Sequence, residues 1–281
     1  MEVFEGIVAL KNKLEELKKV GKTIGFVPTM GALHEGHCSL VRRSKNETDV
    51  TVVSIFVNPT QFNDKNDLKN YPRTFEKDSK MLMDLNVDYV FFPTEKEMYP
   101  EESTDVWDFG MLDKVMEGAH RPGHFNGVAI IVKKLFDIVM PHKAYFGLKD
   151  FQQLAIIKEM LCRLQYPIEI VECAIVREID GLAMSSRNAL LTVDERKHAV
   201  TISKVLFQAN SDAKSLSVKD LENNVFDLIN KDELLSVEYF QIVNSLSLQP
   251  INSWEEPNIK VGCVAVKIGK VRLIDNIVFS V

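Results

Sequence analysis

Apolar residues fall along this chain in two patterns. Compact apolar runs occupy residues 23–28 (TIGFVP), 50–57 (VTVVSIFV) and 87–92 (VDYVFF). Their shortness and β-branched content read as buried strands. Between them, apolar positions recur every three or four residues, the period of a helix with one buried face. The first such stretch carries Phe4, Ile7, Leu10, Leu14 and Leu17, and residues 74–85 carry Phe75, Met81, Leu82 and Leu85. A helical segment starts near His34 and runs through LVRRSKNE, and residues 128–140 and 150–164 repeat the pattern. Short strands at 144–146 and 168–171, with Val176, complete the series. Strands that alternate with helices and are apolar on both faces predict a mostly parallel sheet with helical cover. The fold class expected is α/β, a Rossmann-like doubly wound parallel sheet.

After about residue 188 the pattern changes. Two polar helices, near 193–210 and 217–231, precede strands near 238–243, 262–266 and 272–278. This predicts a second, smaller α+β C-terminal domain. The expected division is 1–188 and 189–281, with the boundary in MSSRN and the residues just after it. No internal repeat or low-complexity segment interrupts the chain.

Composition narrows the class. At 281 residues, a prior of about 150 residues per domain agrees with two domains. The 34 basic and 40 acidic residues leave a net charge of −6, and neither half ends in a tail of one sign. That balance counts against a protein whose task is holding nucleic-acid backbone. The four cysteines (Cys38, Cys162, Cys173, Cys263) form no C-x-x-C pair, which reads as a reducing, cytoplasmic setting. The acidic, charge-interrupted N-terminus is unlike a signal peptide. The longest apolar run is far shorter than the roughly 20 residues of a membrane helix.

In an open α/β sheet, ligands bind beyond the carboxyl ends of the strands, near helix N-termini. Two Gly-rich nucleotide motifs fail there. Gly21-Lys22-Thr23 lacks the first glycine of a phosphate-binding loop, because Glu16 occupies that position, and no G-x-G-x-x-G is present. The first strand-to-helix turn, residues 28–37 (PTMGALHEGH), is richer. His34 and His37 lie three apart, so on a helix they share a face of its first turn. Imidazoles beside free N–H groups and a positive dipole end suit charge building on a transferred phosphoryl group. Gly36 leaves room for a base or ribose to approach the backbone. Two alternatives stand beside this reading. His34, His37 and Cys38 offer a three-ligand metal set, or the helix is a surface-capped one with incidental histidines.

Other strand ends carry further candidates. Gln61 lies between Phe56 and Phe62 after Asn58-Pro59, which is turn chemistry in its own right. An amide beside aromatics suits a small hydroxylated or carboxylated substrate. The HRPGHF segment at 120–125 reads equally as a basic loop or as a helix entry. Asp150 with Gln153 fits a capping box, which leaves Lys149 as a natural phosphate ligand before a helix. Met184-Ser185-Ser186-Arg187 reads as a polar linker or as a clamp for polyphosphate.

The ordered strings bring a known family into view. His34-Glu35-Gly36-His37 is an H-x-G-H signature, and Met184–Arg187 resembles a K-M-S-K-S loop. Both mark the nucleotidylyl-transferase superfamily. FVPTMGALHEGH, FVNPTQF, DLKNYPRT, RPGHFNGV, FGLKDFQQ and MSSRN, in this order, resemble the pantothenate synthetase (AMP-forming pantoate–β-alanine ligase) family. The resemblance spans at least residues 20–190. It implies an ATP- and Mg2+-dependent condensation of pantoate with β-alanine through a pantoyl adenylate, giving pantothenate, AMP and pyrophosphate. It further implies a homodimer that takes only small-molecule substrates, no nucleic acid and no membrane, with the C-terminal domain closing over the site.

Carried over position by position, Met30, Gly31, Ala32, Leu33, His34, Glu35, Gly36 and His37 line the ATP site. His37 is the implied proton donor, assisted by His34, while Lys149 and Arg187 complete the implied catalytic set. Gln61 and Gln153 are implied to hold pantoate, with Gln61 also meeting β-alanine. Gly147, Leu148, Lys149, Asp150, Val176, Met184, Ser185, Ser186 and Arg187 are implied to contact the nucleotide. Some positions depart from the family pattern. Cys38 stands where leucine is common, Leu148 where glutamate is common, and Lys77 where an acidic residue often precedes Asp78. Asp78 is then the remaining side-chain candidate for magnesium, which is expected to be held mainly by ATP oxygens and water. Two other functions share part of these signals: another H-x-G-H nucleotidylyltransferase acting on a small phosphorylated acceptor, and a non-catalytic RNA-binding relative.

Overall fold

The computed structural model describes residues 1–101 and 105–280. From the N-terminus the elements are β1 (Glu2–Phe4), α1 (Ile7–Lys19), β2 (Ile24–Thr29), α2 (Glu35–Glu47) and β3 (Val50–Ile55). Then come α3 (Lys65–Asn70), α4 (Phe75–Asp84), β4 (Tyr89–Phe91), α5 (Glu95–Met98), α6 (Met116–His120) and α7 (His124–Val139). β5 (Lys143–Gly147), α8 (Phe151–Leu164) and β6 (Glu169–Cys173) follow. The chain ends with α9 (Val193–Asp212), α10 (Val218–Asn230), β7 (Leu235–Asn244), β8 (Lys260–Ile268) and β9 (Val271–Val278).

The buried apolar runs form a six-stranded sheet in the order β1-β4-β3-β2-β5-β6, with every pairing parallel. The order reverses between β2 and β5, so the sheet is doubly wound, as expected. Successive residues of β2 serve opposite layers. Val27 packs with Leu40 and Val41 of α2 and Leu82 of α4, while the Phe26 ring meets Phe136 of α7 edge-on at 6.3 Å. Covering both faces is what makes β2 and β3 apolar without alternation. Removing each such side chain from water contributes roughly 1.5–3 kcal/mol.

Phe4 departs from the helical reading of the N-terminus. It sits on β1, paired with Phe91 of β4, and α1 begins only at Ile7 behind the extended Gly6. Three residues of edge strand cannot be told from a helix start by periodicity, and here parallel pairing decides.

Contacts divide the chain into two compact units. The first is Met1–Phe109, Arg121–Leu148 and Ile156–Ala174, and the second is Gly110–His120, Lys149–Ala155 and Ile175–Val281. Sequence pattern suggests one cut after residue 188, whereas three segments from before that point, residues 110–120, 149–155 and 175–188, group with the C-terminal sheet. The reason lies in β8. In the antiparallel β7-β8-β9 sheet, Val264 and Val266 face the core made by α9 and α10. Cys263 and Ala265, on the opposite face, need other cover and find it in Met116, Leu112, Val115, Phe151 and Ala155. Buried polar groups tie this second layer down. Arg272 of β9 holds both oxygens of Glu117, at 2.7 and 2.8 Å, and the Tyr239 hydroxyl donates to Glu117 at 2.8 Å. Burial alone would lower the Arg272 pKa, but the hydrogen bonds it donates to Glu117 and then to Glu238 outweigh burial and raise it.

Candidate active site

In the first unit the site grows from the carboxyl end of β2. Thr29 begins the turn, its hydroxyl donating to the Ser54 carbonyl at 2.7 Å and accepting the Gly31 N–H at 3.2 Å. Gly31 (φ 82°) and Ala32 (φ 49°) are both left-handed, a conformation that costs about 1 kcal/mol or more for alanine. Asp78 of α4 compensates. Fully buried, its carboxylate accepts the N–H groups of Ala32 at 2.9 Å and Leu33 at 2.8 Å, and the Thr74 hydroxyl donates to it at 3.2 Å. Gly31 fits because a Cβ there would stand 3.1 Å from Asp78 Oδ2 and 3.0 Å from Ile55.

α2 starts one residue later than the histidine spacing implies. His34 is its extended N-cap (φ −140°, ψ 177°) rather than a first-turn residue. The two histidines still come together, with ring centroids 4.1 Å apart. His34 Nδ1 accepts the Gly36 N–H at 3.1 Å, and His37 Nδ1 accepts the His34 N–H at 3.3 Å. They form a capping box in which imidazoles replace the usual hydroxyl and carboxylate. An Nδ1 that accepts a backbone N–H carries no proton, so each neutral ring bears its proton on Nε2. The pair is thus oriented as donors through Nε2.

Cys38 is buried in the core behind this turn, and burial pushes its thiol pKa up. Among the described residues no three His, Cys, Asp or Glu side chains gather to hold a metal ion, so the His34–His37–Cys38 set is not assembled. Asp78 likewise has both oxygens committed to the turn. Exposed Glu35 pairs with Arg42 on the outer side of α2, which holds its carboxyl below the usual range.

Gln61 closes the 3-10 turn Pro59–Gln61 after β3. Its amide nitrogen points at Met30 Sδ, 3.1 Å away, and its amide oxygen accepts from Asn58 at 3.2 Å. Sequence reading treats Asn58 as turn chemistry only. It is in fact a buried hub that also donates to the Gly127 carbonyl at 3.1 Å and accepts the Tyr99 hydroxyl at 2.7 Å. The 120–125 segment turns out to be a helix entry, with left-handed Gly123 before α7. Buried His124 there contacts the Gln61 carbonyl at 2.8 Å. Met30, His34, His37 and Gln61 therefore share one end of the parallel sheet, with Asn58 and His124 as supports that spacing alone did not reveal.

Gly147 ends β5 and Leu148 follows it in the first unit, and the second unit carries the remaining candidates. Lys149 sits in the 3-10 turn Leu148–Asp150 with Nζ 3.8 Å from Asp150. Gln152, one residue before Gln153, is the buried glutamine of α8, spending its amide on Leu112, Val115 and Glu117. Val176 and Met184 are joined by a backbone hydrogen bond of 3.0 Å, and Arg177 bridges Ala183. Ser185 caps the 3-10 turn Ser186–Leu190 by accepting the Arg187 N–H at 3.2 Å. Asn188 pins that segment to the Ala183 carbonyl and to Glu178.

The family described as pantoate-beta-alanine ligase matches residues 2–278. A pantothenate synthetase of Bacteroides fragilis is 54% identical over 280 residues, spanning 100% of this chain and 99% of the relative. That of Porphyromonas gingivalis is 50% identical over 100% of both chains. Among solved structures, pantothenate synthetase from Thermus thermophilus matches with a TM-score of 0.92 at 39% identity, covering 99% of each chain. The Francisella tularensis pantoate-beta-alanine ligase, complexed with beta-gamma ATP and beta-alanine, matches at 0.84 and 36% identity, covering 99% of this chain and 97% of that one.

Proposed function

The chain belongs to the pantoate–β-alanine ligase family, and from that premise we infer the reaction and the work of its residues. It is a ligase that joins pantoate to β-alanine with ATP to form pantothenate. The observation that carries the residue assignment is the oriented pair His34–His37 at the carboxyl end of β2, with Gln61 held beside Met30.

In the first step the pantoate carboxylate attacks the α-phosphorus of ATP. The carboxylate O–P bond forms, the bond to the bridging oxygen breaks, and pyrophosphate leaves. Negative charge grows on the phosphoryl oxygens in that transition state. The Nε2–H groups of His37 and His34 suit it, because the backbone already holds both rings in the donating tautomer. In the second step the neutral β-alanine amine attacks the acyl carbon of the bound adenylate, the bond from that carbon to the oxygen bridging to phosphorus breaks, AMP leaves with the bridging oxygen, and the amine gives up a proton to solvent as the amide forms. No covalent bond to the enzyme is required, so positioning and fixed dipoles supply the catalysis.

Met30–His37 are assigned to ATP, and Gln61 and Gln153 to pantoate, with Gln61 also meeting β-alanine. Gly147–Asp150, Val176 and Met184–Arg187 are assigned to the nucleotide, Lys149, Ser185, Ser186 and Arg187 serving its phosphates. Magnesium is proposed only as the companion of ATP. Both Asp78 oxygens already hold the turn, so this carboxylate does not fit a ligand role, and the ion is assigned to phosphate oxygens and water. Among the described residues no helix is long and apolar enough to cross a membrane, and a cytoplasmic homodimer is proposed. The test is a product balance. With ATP, pantoate and β-alanine, pantothenate, AMP and pyrophosphate form in equal amounts. Formation of ADP, or nucleotide transfer to a phosphorylated acceptor instead, overturns the reading.

A further inference from the structure

β9 carries two consecutive buried polar residues, Asp275 and Asn276. Side chains of a strand alternate between faces, so a buried pair of this kind puts one polar group into each side of the sheet. Such groups persist only where each has a partner. The partners are specific. Asp275 takes the Arg177 guanidinium as a fork, at 2.6 and 3.0 Å. The same Arg177 donates to the Gly181 carbonyl at 3.1 Å and lies over the Phe207 ring at 4.9 Å. It directly follows Val176, on the segment that leads to Met184–Arg187.

Asn276, on the opposite face, donates through Nδ2 to the Lys149 carbonyl at 3.0 Å. Its own N–H donates to Asp275 Oδ1 at 2.8 Å, and its carbonyl accepts from Arg177 at 3.4 Å. One strand therefore grips, through adjacent residues, two loops assigned to nucleotide phosphates. A lysine side chain is a flexible point charge. What makes it an effective phosphate ligand is a fixed backbone from which to extend.

We propose that Asn276 is a positioning residue for Lys149, locked in place by the Arg177–Asp275 pair, so that triphosphate affinity depends on a side chain that touches no substrate. The proposal rests on the assignment of Lys149 to the phosphates of ATP. Asn276→Asp keeps the shape but turns the donor into an acceptor facing the Lys149 carbonyl. Asn276→Ser removes the reach without adding charge, which keeps the test open if the aspartate variant does not fold. Loss of one buried hydrogen bond that positions a charged group is expected to weaken ATP binding about tenfold.

The experiment measures ATP binding by calorimetry and the inhibition constant of adenosine, which has no phosphate, in the native protein, both Asn276 variants, Lys149→Ala and the double variants. Weaker ATP binding with adenosine inhibition unchanged, and no further loss when Asn276 is changed in the Lys149→Ala background, supports the proposal. A merely structural defect moves ATP and adenosine together. That result overturns it, as does native ATP affinity in the Asn276 variants or an undiminished loss on top of Lys149→Ala. Native ATP binding in Lys149→Ala overturns the phosphate assignment itself and the proposal with it. A loss in Lys149→Ala alone overturns the proposal and leaves the assignment standing.

Discussion

The Asp78 carboxylate accepts the backbone N–H of Leu33 at 2.8 Å from complete burial. With its second oxygen on Ala32, it holds two successive N–H groups of the turn that delivers Met30 and His34. Asp78→Asn replaces one of these acceptors with a donor and is expected to cost about 1.5–3 kcal/mol, the scale of a hydrogen bond to a buried charge. Urea unfolding in metal-free buffer reads that loss. Equal stability of native and variant protein there contradicts the assignment of Asp78 to the turn.

Gly127 of α7 has a comparable hold on Gln61. A Cβ at this position would lie 2.3 Å from the Thr60 carbonyl oxygen and 2.8 Å from Gln61 Cα, backbone atoms that cannot swing aside. Gly127→Ala therefore displaces the Pro59–Gln61 turn. Steady-state kinetics are expected to show KM for pantoate rising roughly tenfold or more, since misplacing a positioning group by about 1 Å has effects of that order. An unchanged KM for pantoate contradicts the placement of Gln61 against that substrate.

His37→Ala removes one of the two oriented donors. The expected loss in the adenylation rate is about 10²–10³-fold, typical of a single donor aimed at developing charge. His37 also accepts the His34 N–H, so circular dichroism and a melting curve accompany the assay. A folded variant with near-native rate refutes the role.

A pH dependence follows from Glu238. Burial pushes its carboxyl pKa up, but hydrogen bonds from Arg272 and Lys267 outweigh burial and hold it below the ordinary range. A depressed carboxyl pKa adds stability above the unfolded value of about 4.3, and that stability disappears as pH falls through the folded value. The difference in unfolding free energy between native protein and Glu238→Gln is thus expected to be constant above about pH 6 and to shrink toward pH 3. A difference that grows on acidification contradicts the pairing.

Sequence pattern reached some of this architecture and stopped where local order carries no signal. β2 and β3 were legible because both their faces are covered, which leaves eight-residue runs such as VTVVSIFV almost wholly apolar. Gln61, His34 and His37 were legible as polar residues at strand ends where turns alone did not require them. β1 was not, since three residues cannot display a period. Asn58 was masked by Asn-Pro turn chemistry, although burial makes it the hub beneath Gln61. The grouping of Gly110–His120 with the C-terminal sheet depends on pairs such as Glu117 with Arg272 and Glu117 with Tyr239. Separations of that length leave no periodic trace in one chain.

The central claim is that pantoate is activated by adenylation before the amine arrives. Exchange of labelled pyrophosphate into ATP, with pantoate present and β-alanine absent, measures that step alone. The account predicts exchange that rises with pantoate to saturation and vanishes without it. Exchange that ignores pantoate, or that appears only once β-alanine is added, contradicts it.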